Sequence, residues 1–476
     1  MLKRLSTRQV LFLLVFSIFC LLVCPKILEM GKNGDGTEYA SVARNMAEGL
    51  GTFWAPYLDD TNWPVHHEHP PLIYWIQSIF FRLFGDGLYF EGIYGFGIAL
   101  VILYLTAMFW QRVRRDFQLP VLGSWWPLLL LISLTAFSYY VQSNRLVATF
   151  LIFALLETYF AYRSMAGGKS TVIYAIATGL TVYLGLIAKG PVALFAFAVP
   201  TIGCLTIKPG FSRAAASTLL AMVMCAACFL LTGLLFPESM GFWKFFMKTQ
   251  IFPSLASTRA GGDTYFSYIE RLISQMIVPF GLTGMIMLIL KAHFRNLKFN
   301  RHAAFFLLIA LAGCLPFFVS KRQHLRYVLH SLPFFVLSLA FVTDNIAEKV
   351  ESIIAKKRKI RLGFVVTALF FFMVSIGAMA YRKDEITRAY AFFEDLYLRD
   401  IPLTERSIVT IYPKEMIMDD YLFVWMQRYF KVSVMGEMGG DYLLVDKNSG
   451  FEIPEGYEKM HREPTRKYIL YKKIVQ

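Results

Sequence analysis

The chain has 476 residues, 56% of them hydrophobic and only 17% charged, with a formal charge of +15. An ordinary soluble enzyme carries about a quarter charged residues, and so apolar a chain cannot be intrinsically disordered. A polytopic helical membrane protein remains, because long apolar runs can satisfy their backbone groups in lipid only as helices. The cations are scattered between these runs rather than gathered on one domain, which makes nucleic acid the weaker reading and directs them to membrane lipids.

At the N-terminus Lys3, Arg4 and Arg8 precede an apolar run over 10–28. The run is too long for a signal peptide and no small-x-small cleavage site follows, so it reads as an uncleaved first helix with its N-terminus inside. Further runs of spanning length lie near 90–110, 121–138, 146–162, 171–187, 191–207, 215–235, 272–290, 303–319, 328–343 and 363–381. Together they predict about eleven spans on a window of roughly 20 residues. The stretch 71–84 is shorter and suits a re-entrant or interfacial segment. Starting inside, every cytoplasmic loop is positive, from Arg112, Arg114 and Arg115 to the dense block Lys356–Arg361, as the positive-inside rule expects.

The opposite face receives 29–89, 139–145, 188–190, 236–271, 320–327 and everything after 382. Residues 1–381 therefore read as a transmembrane domain. The tail 382–476 is more charged and has strand-like runs such as Ser407–Tyr412, which predict a small extramembrane α/β domain. All six cysteines fall in apolar runs, and Cys225-x-x-Cys228 has no flanking ligand residue, so they read as packing groups.

The polar residues such a protein does not need concentrate on that opposite face. Asp35 and Glu38 stand three apart at the start of a helical pattern, so both carboxylates can share a face. The alternative is that Asp35 or Thr37 caps the helix while Glu38 favours its positive end. Next come His66-His67-Glu68-His69-Pro70-Pro71. The spacing is not the helical zinc pattern, and the double proline forces an extended approach. A rigid loop presenting Glu68 and His69 to a polar headgroup fits better than a metal site.

Lys189 sits at the tip of a tight helical hairpin, where the alternative role is snorkelling to the interface. Lys321, Arg322 and Arg326 crowd one short loop against the positive-inside bias, and Arg145 and Arg259 lie on the same face. Outer cations facing two carboxylates suit an anionic lipid phosphate with a proton acceptor beside it.

The order Asp35-x-x-Glu38-Tyr39, Glu68-His69-Pro70-Pro71-Leu72-x-Tyr74-Trp75, Ala188-Lys189-Gly190-Pro191, then Lys321 to Tyr327, resembles the bacterial branch of the protein O-mannosyltransferase family. That branch includes the aminoarabinose transferase of lipid A. The resemblance covers roughly residues 1–345 and implies a GT-C-fold glycosyltransferase of the bacterial inner membrane. Such enzymes take sugar from a polyprenyl-phosphate donor on the periplasmic side and pass it to a glycan, lipid or protein acceptor. By the same resemblance Asp35 is the catalytic carboxylate with Glu38 nearby. His69 takes the place before the double proline, Lys189 that of the hairpin lysine, and Arg259 that of a loop arginine. Lys321, Arg322, Arg326 and Tyr327 fall where the lipid phosphate is held, with Glu68 and Arg145 beside them. The chain departs from the pattern at Gly36, where a second carboxylate is common, and at Val147–Thr149, where an acidic residue is common.

The implied chemistry requires no cofactor. A phosphodiester leaving as a phosphate monoester needs cations rather than a general acid. One base must take the acceptor's hydroxyl proton, and direct displacement inverts the anomeric carbon. A transporter or flippase of a lipid-linked saccharide is the rival reading. It would place charges within its spans, whereas here the spans are nearly charge-free.

Overall fold

The structure, a computed structural model, describes residues 5–167, 170–255, 265–293, 295, 297–319, 325–460 and 464–474. Helix α1 (Thr7–Val23) opens with a capping box between Ser6 and Gln9, which fixes its start at the edge of the apolar run. Two helices then build the first long loop, α2 (Gly34–Ala47) and α3 (Leu72–Phe84). The bundle continues with α4 (Phe90–Asp116), α5 (Trp125–Ile132), α6 (Thr135–Gln142), α7 (Leu146–Ser164) and α8 (Ser170–Lys189). After α8, a 3-10 stretch Pro191–Ala198 leads into α9 (Val199–Thr206), then α10 (Phe211–Leu235), α11 (Glu238–Phe246) and α12 (Phe252–Leu255). Helices α13 (Tyr265–Ile289), α14 (Arg301–Val319), α15 (Leu332–Val342), α16 (Asp344–Lys356) and α17 (Arg358–Tyr381) complete it.

Seven described helical segments are long and apolar enough to span a membrane, and α15 with α16, bent by 66°, supplies an eighth if counted as one span. The expected count of eleven is not reached for a physical reason. The run 121–138 is broken into α5 and α6 by a turn at Ser133 and Leu134. The runs 191–207 and 303–319 yield shorter apolar helices. Irregular backbone at membrane depth is tolerated where protein surrounds it, and α5 has seven of its eight residues buried.

The polar loops separate to two ends of the bundle. At one end Arg8 pairs with Glu351 at 3.0 Å, and Arg114 with Asp344 at 3.1 Å and Glu348 at 3.2 Å. At the other end the exits of α1 and α17 are stitched together by a Met30–Ile386 bridge and a Thr387 N–H to Met30 carbonyl bond of 3.1 Å.

Beyond α17 come α18 (Tyr390–Asp395), β1 (Ile408–Tyr412), α19 (Met416–Asp419), α20 (Leu422–Phe430), β2 (Ser433–Met435), β3 (Tyr442–Asp446), β4 (Tyr457–Lys459) and β5 (Tyr468–Lys473). The sheet order is β2-β1-β3-β5-β4, with β1 parallel to β2 and β3 and the β3–β5 and β5–β4 pairs antiparallel. Val409, Ile411, Leu443 and Leu444 are buried in it.

This layer is fastened to the helices by buried arginines. Arg44 on α2 donates to the Gln427 and Arg428 carbonyls at 3.0 and 2.9 Å. Arg428 on α20 donates to Glu91 at 2.8 Å and Asp86 at 2.5 Å. Because Arg44 and Asp35 share one short helix, the sheet layer and the carboxylate are mechanically linked.

Candidate active site

Helix α2 begins where Asn33, extended at φ −61° and ψ 137°, accepts the Asp35 N–H on its side-chain oxygen. Asn33 is thus the cap, and neither Asp35 nor Thr37 fills that role. The sequence offered a signal in the Asn33-Gly34 pair, because asparagine is a preferred cap. Asp35 stands in the first turn, where the helix dipole favours its negative charge.

The Asp35 carboxylate is held between two guanidinium groups, Arg145 and Arg326, the latter at 3.0 Å. Arg145 stands at the N-cap of α7, and its approach depends on Gly36. A Cβ at Gly36 would overlap the Ser143 carbonyl oxygen. Asn144 closes the same junction by donating to the Gly36 carbonyl at 2.9 Å. The second carboxylate that the resemblance would place at this position has no room. Burial and the nearby Arg326 and Arg388 lower the Arg145 pKa to about 10, so it stays charged at neutral pH.

Lys189 ends α8 and lies within electrostatic reach of Arg326 and Arg145. The helix stops there because Gly190 takes φ +93°, which glycine adopts without strain, and Pro191 follows. Tyr327 stacks on Phe317 with ring centroids 5.0 Å apart, and the Arg326 guanidinium lies 5.5 Å from its ring centre. Arg259, Lys321 and Arg322 lie outside the described residues.

Glu38 belongs to a second, adjoining cluster. Its Oε1 is 3.3 Å from Nε2 of the buried His66, which is also 3.3 Å from the Tyr74 hydroxyl. Burial, and then the neighbouring Glu68, raise the Glu38 pKa to about 8, while burial lowers that of His66 to about 4. Burial thus disfavours the charged form of both groups. His69 lies beside it, its Nε2 3.2 Å from the Tyr39 hydroxyl.

One ligand atom each from Glu38, His66 and Glu68 falls within 4.8 Å of the others. Among the described residues, His66 Nδ1 is buried without a hydrogen-bond partner. One imidazole and two carboxylates form a donor set that suits a divalent transition metal. The histidine spacing alone hid this grouping, because Glu38 comes from a different element and reaches His66 only through the fold.

Carboxylate and cation clusters thus meet at one mouth of a helix bundle, beneath a small mixed sheet. Over its whole length the chain shares the fold of ArnT from Cupriavidus metallidurans, solved bound to undecaprenyl phosphate. The TM-score is 0.66 at 13% identity, with 98% of each chain covered. The apo form of that protein gives 0.62 at 13% identity, covering 96% of this chain and 97% of that one. A weaker likeness, at TM-score 0.45 and 12% identity, links 91% of this chain to 69% of the archaeal oligosaccharyltransferase AglB from Archaeoglobus fulgidus. No known protein-family model matches the sequence.

Proposed function

We propose that this chain is an integral membrane glycosyltransferase. It moves a sugar from a polyprenyl-phosphate donor to an acceptor hydroxyl at the periplasmic face of a bacterial inner membrane, with inversion. The observation that carries the reading is the Asp35 carboxylate shared between Arg145 and Arg326, with Lys189 in reach of both arginines. The shared fold with a protein solved bound to undecaprenyl phosphate supports the choice of donor.

Lys189 and Arg326, with Lys321 and Arg322 in the same loop, hold the donor phosphate and offset the charge that develops as it leaves. Arg326 also serves Asp35 in the resting site. A donor phosphate that draws Arg326 to itself frees one side of the Asp35 carboxylate. Asp35 then accepts the acceptor's proton as the new bond forms. His69 and Glu68 contact the headgroup from the loop ahead of α3. No cofactor is needed for this step. A divalent cation at Glu38, His66 and Glu68 would add local positive charge beside the donor.

The test uses nanodisc-embedded protein and radiolabelled undecaprenyl-phosphate hexoses. The unaltered protein releases undecaprenyl phosphate, and Asp35→Asn does so far more slowly. Equal rates would sink the base assignment.

A further inference from the structure

Between the start of α2 and the sheet layer lies a cavity of about 420 Å³, a size typical of small-molecule sites. Asp35 and Arg145 line its floor, whereas Lys189 and Arg326 do not line it. Asp35 therefore joins Arg326, which lies outside the lining, to this cavity.

The roof comes from the segment after α17. Tyr421 lies against Gly34, with its Cδ1 3.2 Å from where a Cβ would stand, so its ring is beside Asp35. Tyr421 and Tyr390 are about half exposed, at 47% and 49%. Tyr421 and its lining neighbour Ala389 both hold left-handed backbones, at φ +53° and +54°. Residues other than glycine rarely adopt that conformation, which concentrates where structure serves a site.

Asp420 is fixed by Lys467 at 2.6 Å and Tyr468 at 2.9 Å. Asp419 and Arg388 are exposed, and their side chains make no hydrogen bond or ion pair among the described residues. Three carboxylates and three cations line the space, so it carries no excess charge to attract a phosphate. Exposed aromatic faces with free carboxylate and guanidinium groups instead match a pyranose ring. Its C–H faces rest on aromatics and its hydroxyls form charge-assisted hydrogen bonds.

We infer that this cavity is the acceptor site and that it takes an uncharged saccharide, with Tyr421 as its platform and Asp419 and Arg388 binding its hydroxyls. The inference rests on the transferase reading above. A bond forms between the acceptor oxygen and the anomeric carbon, and the bond from that carbon to the phosphate oxygen breaks. The hydroxyl proton passes to Asp35, and polyprenyl phosphate leaves with the bonding electrons.

Two arms separate the site from the reaction. Saturation-transfer NMR on the full-length protein in nanodiscs probes binding of methyl mannoside, methyl glucoside and chitobiose. Asp419→Asn and Tyr421→Ala lose at least tenfold in glycoside affinity, while Glu458→Gln, an exposed change on β4, keeps it. Transfer from radiolabelled undecaprenyl-phosphate hexoses is then offered those glycosides, a serine peptide and lipid A in parallel. Glycosides are labelled in preference, and Asp419→Asn raises their KM at least tenfold with a smaller effect on kcat. Absence of glycoside binding, or preferential labelling of the peptide or lipid A, overturns the assignment. Glycoside binding that these variants abolish, with no turnover of any donor, supports the binding site and rejects the transferase reading.

Discussion

Arg326 donates to Asp35 at 3.0 Å across 291 residues of sequence, joining the loop before α15 to the first turn of α2. In the proposed reaction the pair makes the donor cations and the base one electrostatic unit. Arg326→Gln therefore both weakens donor binding and unpairs one side of the carboxylate. A charged hydrogen bond contributes about 1.5–3 kcal/mol, so donor KM rises about 10- to 100-fold. Initial rates at varied donor concentration measure it, and Lys189→Met shifts KM in the same direction.

Loss of the base should appear in turnover instead. Asp35→Asn keeps the side chain's shape and lowers kcat by about 10²–10⁴. Glu38→Gln lowers it much less, because Glu38 belongs to the adjoining cluster with His66. Comparing kcat for the two variants settles which carboxylate takes the proton.

That cluster also sets a pH signature in stability. Glu38 holds its proton in the fold until about 8, against 4.5 for the free group, so its ionisation destabilises the fold across that window. His66 stays neutral down to about 4, against 6.5, so its contribution to stability grows as pH rises from 4 to 6.5. The two slopes oppose each other up to pH 6.5, which leaves a net decline between 6.5 and 8. Thermal unfolding midpoints across that interval should fall for the unaltered protein and stay flatter for Glu38→Gln.

The same three donors predict a metal affinity separable from catalysis. Isothermal titration with zinc should show one site that His66→Ala removes. Chelation with EDTA leaves transfer running, since no step of the proposed reaction passes through the ion. Loss of transfer on chelation would show that the cation is required.

The sheet layer is anchored by Arg428, whose guanidinium faces Glu91 and Asp86 with its own side chain 3% exposed. Arg428→Met strands the buried Glu91 charge and destabilises the protein by about 3–5 kcal/mol. A lower unfolding midpoint and faster proteolysis between 382 and 407 would report it. Adding Glu91→Leu should restore most of the loss, because an apolar pair can replace a buried ion pair.

Much of this molecule could be read directly from its residues. The apolar runs locate most helices to within a few positions, and the outer cations single out Arg145 and Arg326, which meet at Asp35, and Lys189 in reach of both. The span count was less legible, because composition cannot distinguish a helix facing lipid from one broken inside the bundle. The turn at Ser133 and Leu134 is such a break. Glu38 and His66 were both noticed, but 28 positions separate them and only the packing of α2 against the loop before α3 joins them. The cavity roof was illegible for a different reason. Asp419, Tyr421 and Arg388 carry no motif, and they matter only because Arg44 and Arg428 fasten their segment over α2.

The stitch between Met30 and Ile386 has a consequence for biosynthesis. During translation the membrane helices and the Asp35 loop are in place before the roof has left the ribosome. A nascent chain therefore presents its carboxylate to the bilayer surface with the acceptor wall still unmade. Ribosome-stalled or prematurely terminated products ending near Tyr381 would hold the donor cations yet lack a place for the acceptor. Under the proposed function, transfer to an acceptor therefore waits for synthesis of the last segment.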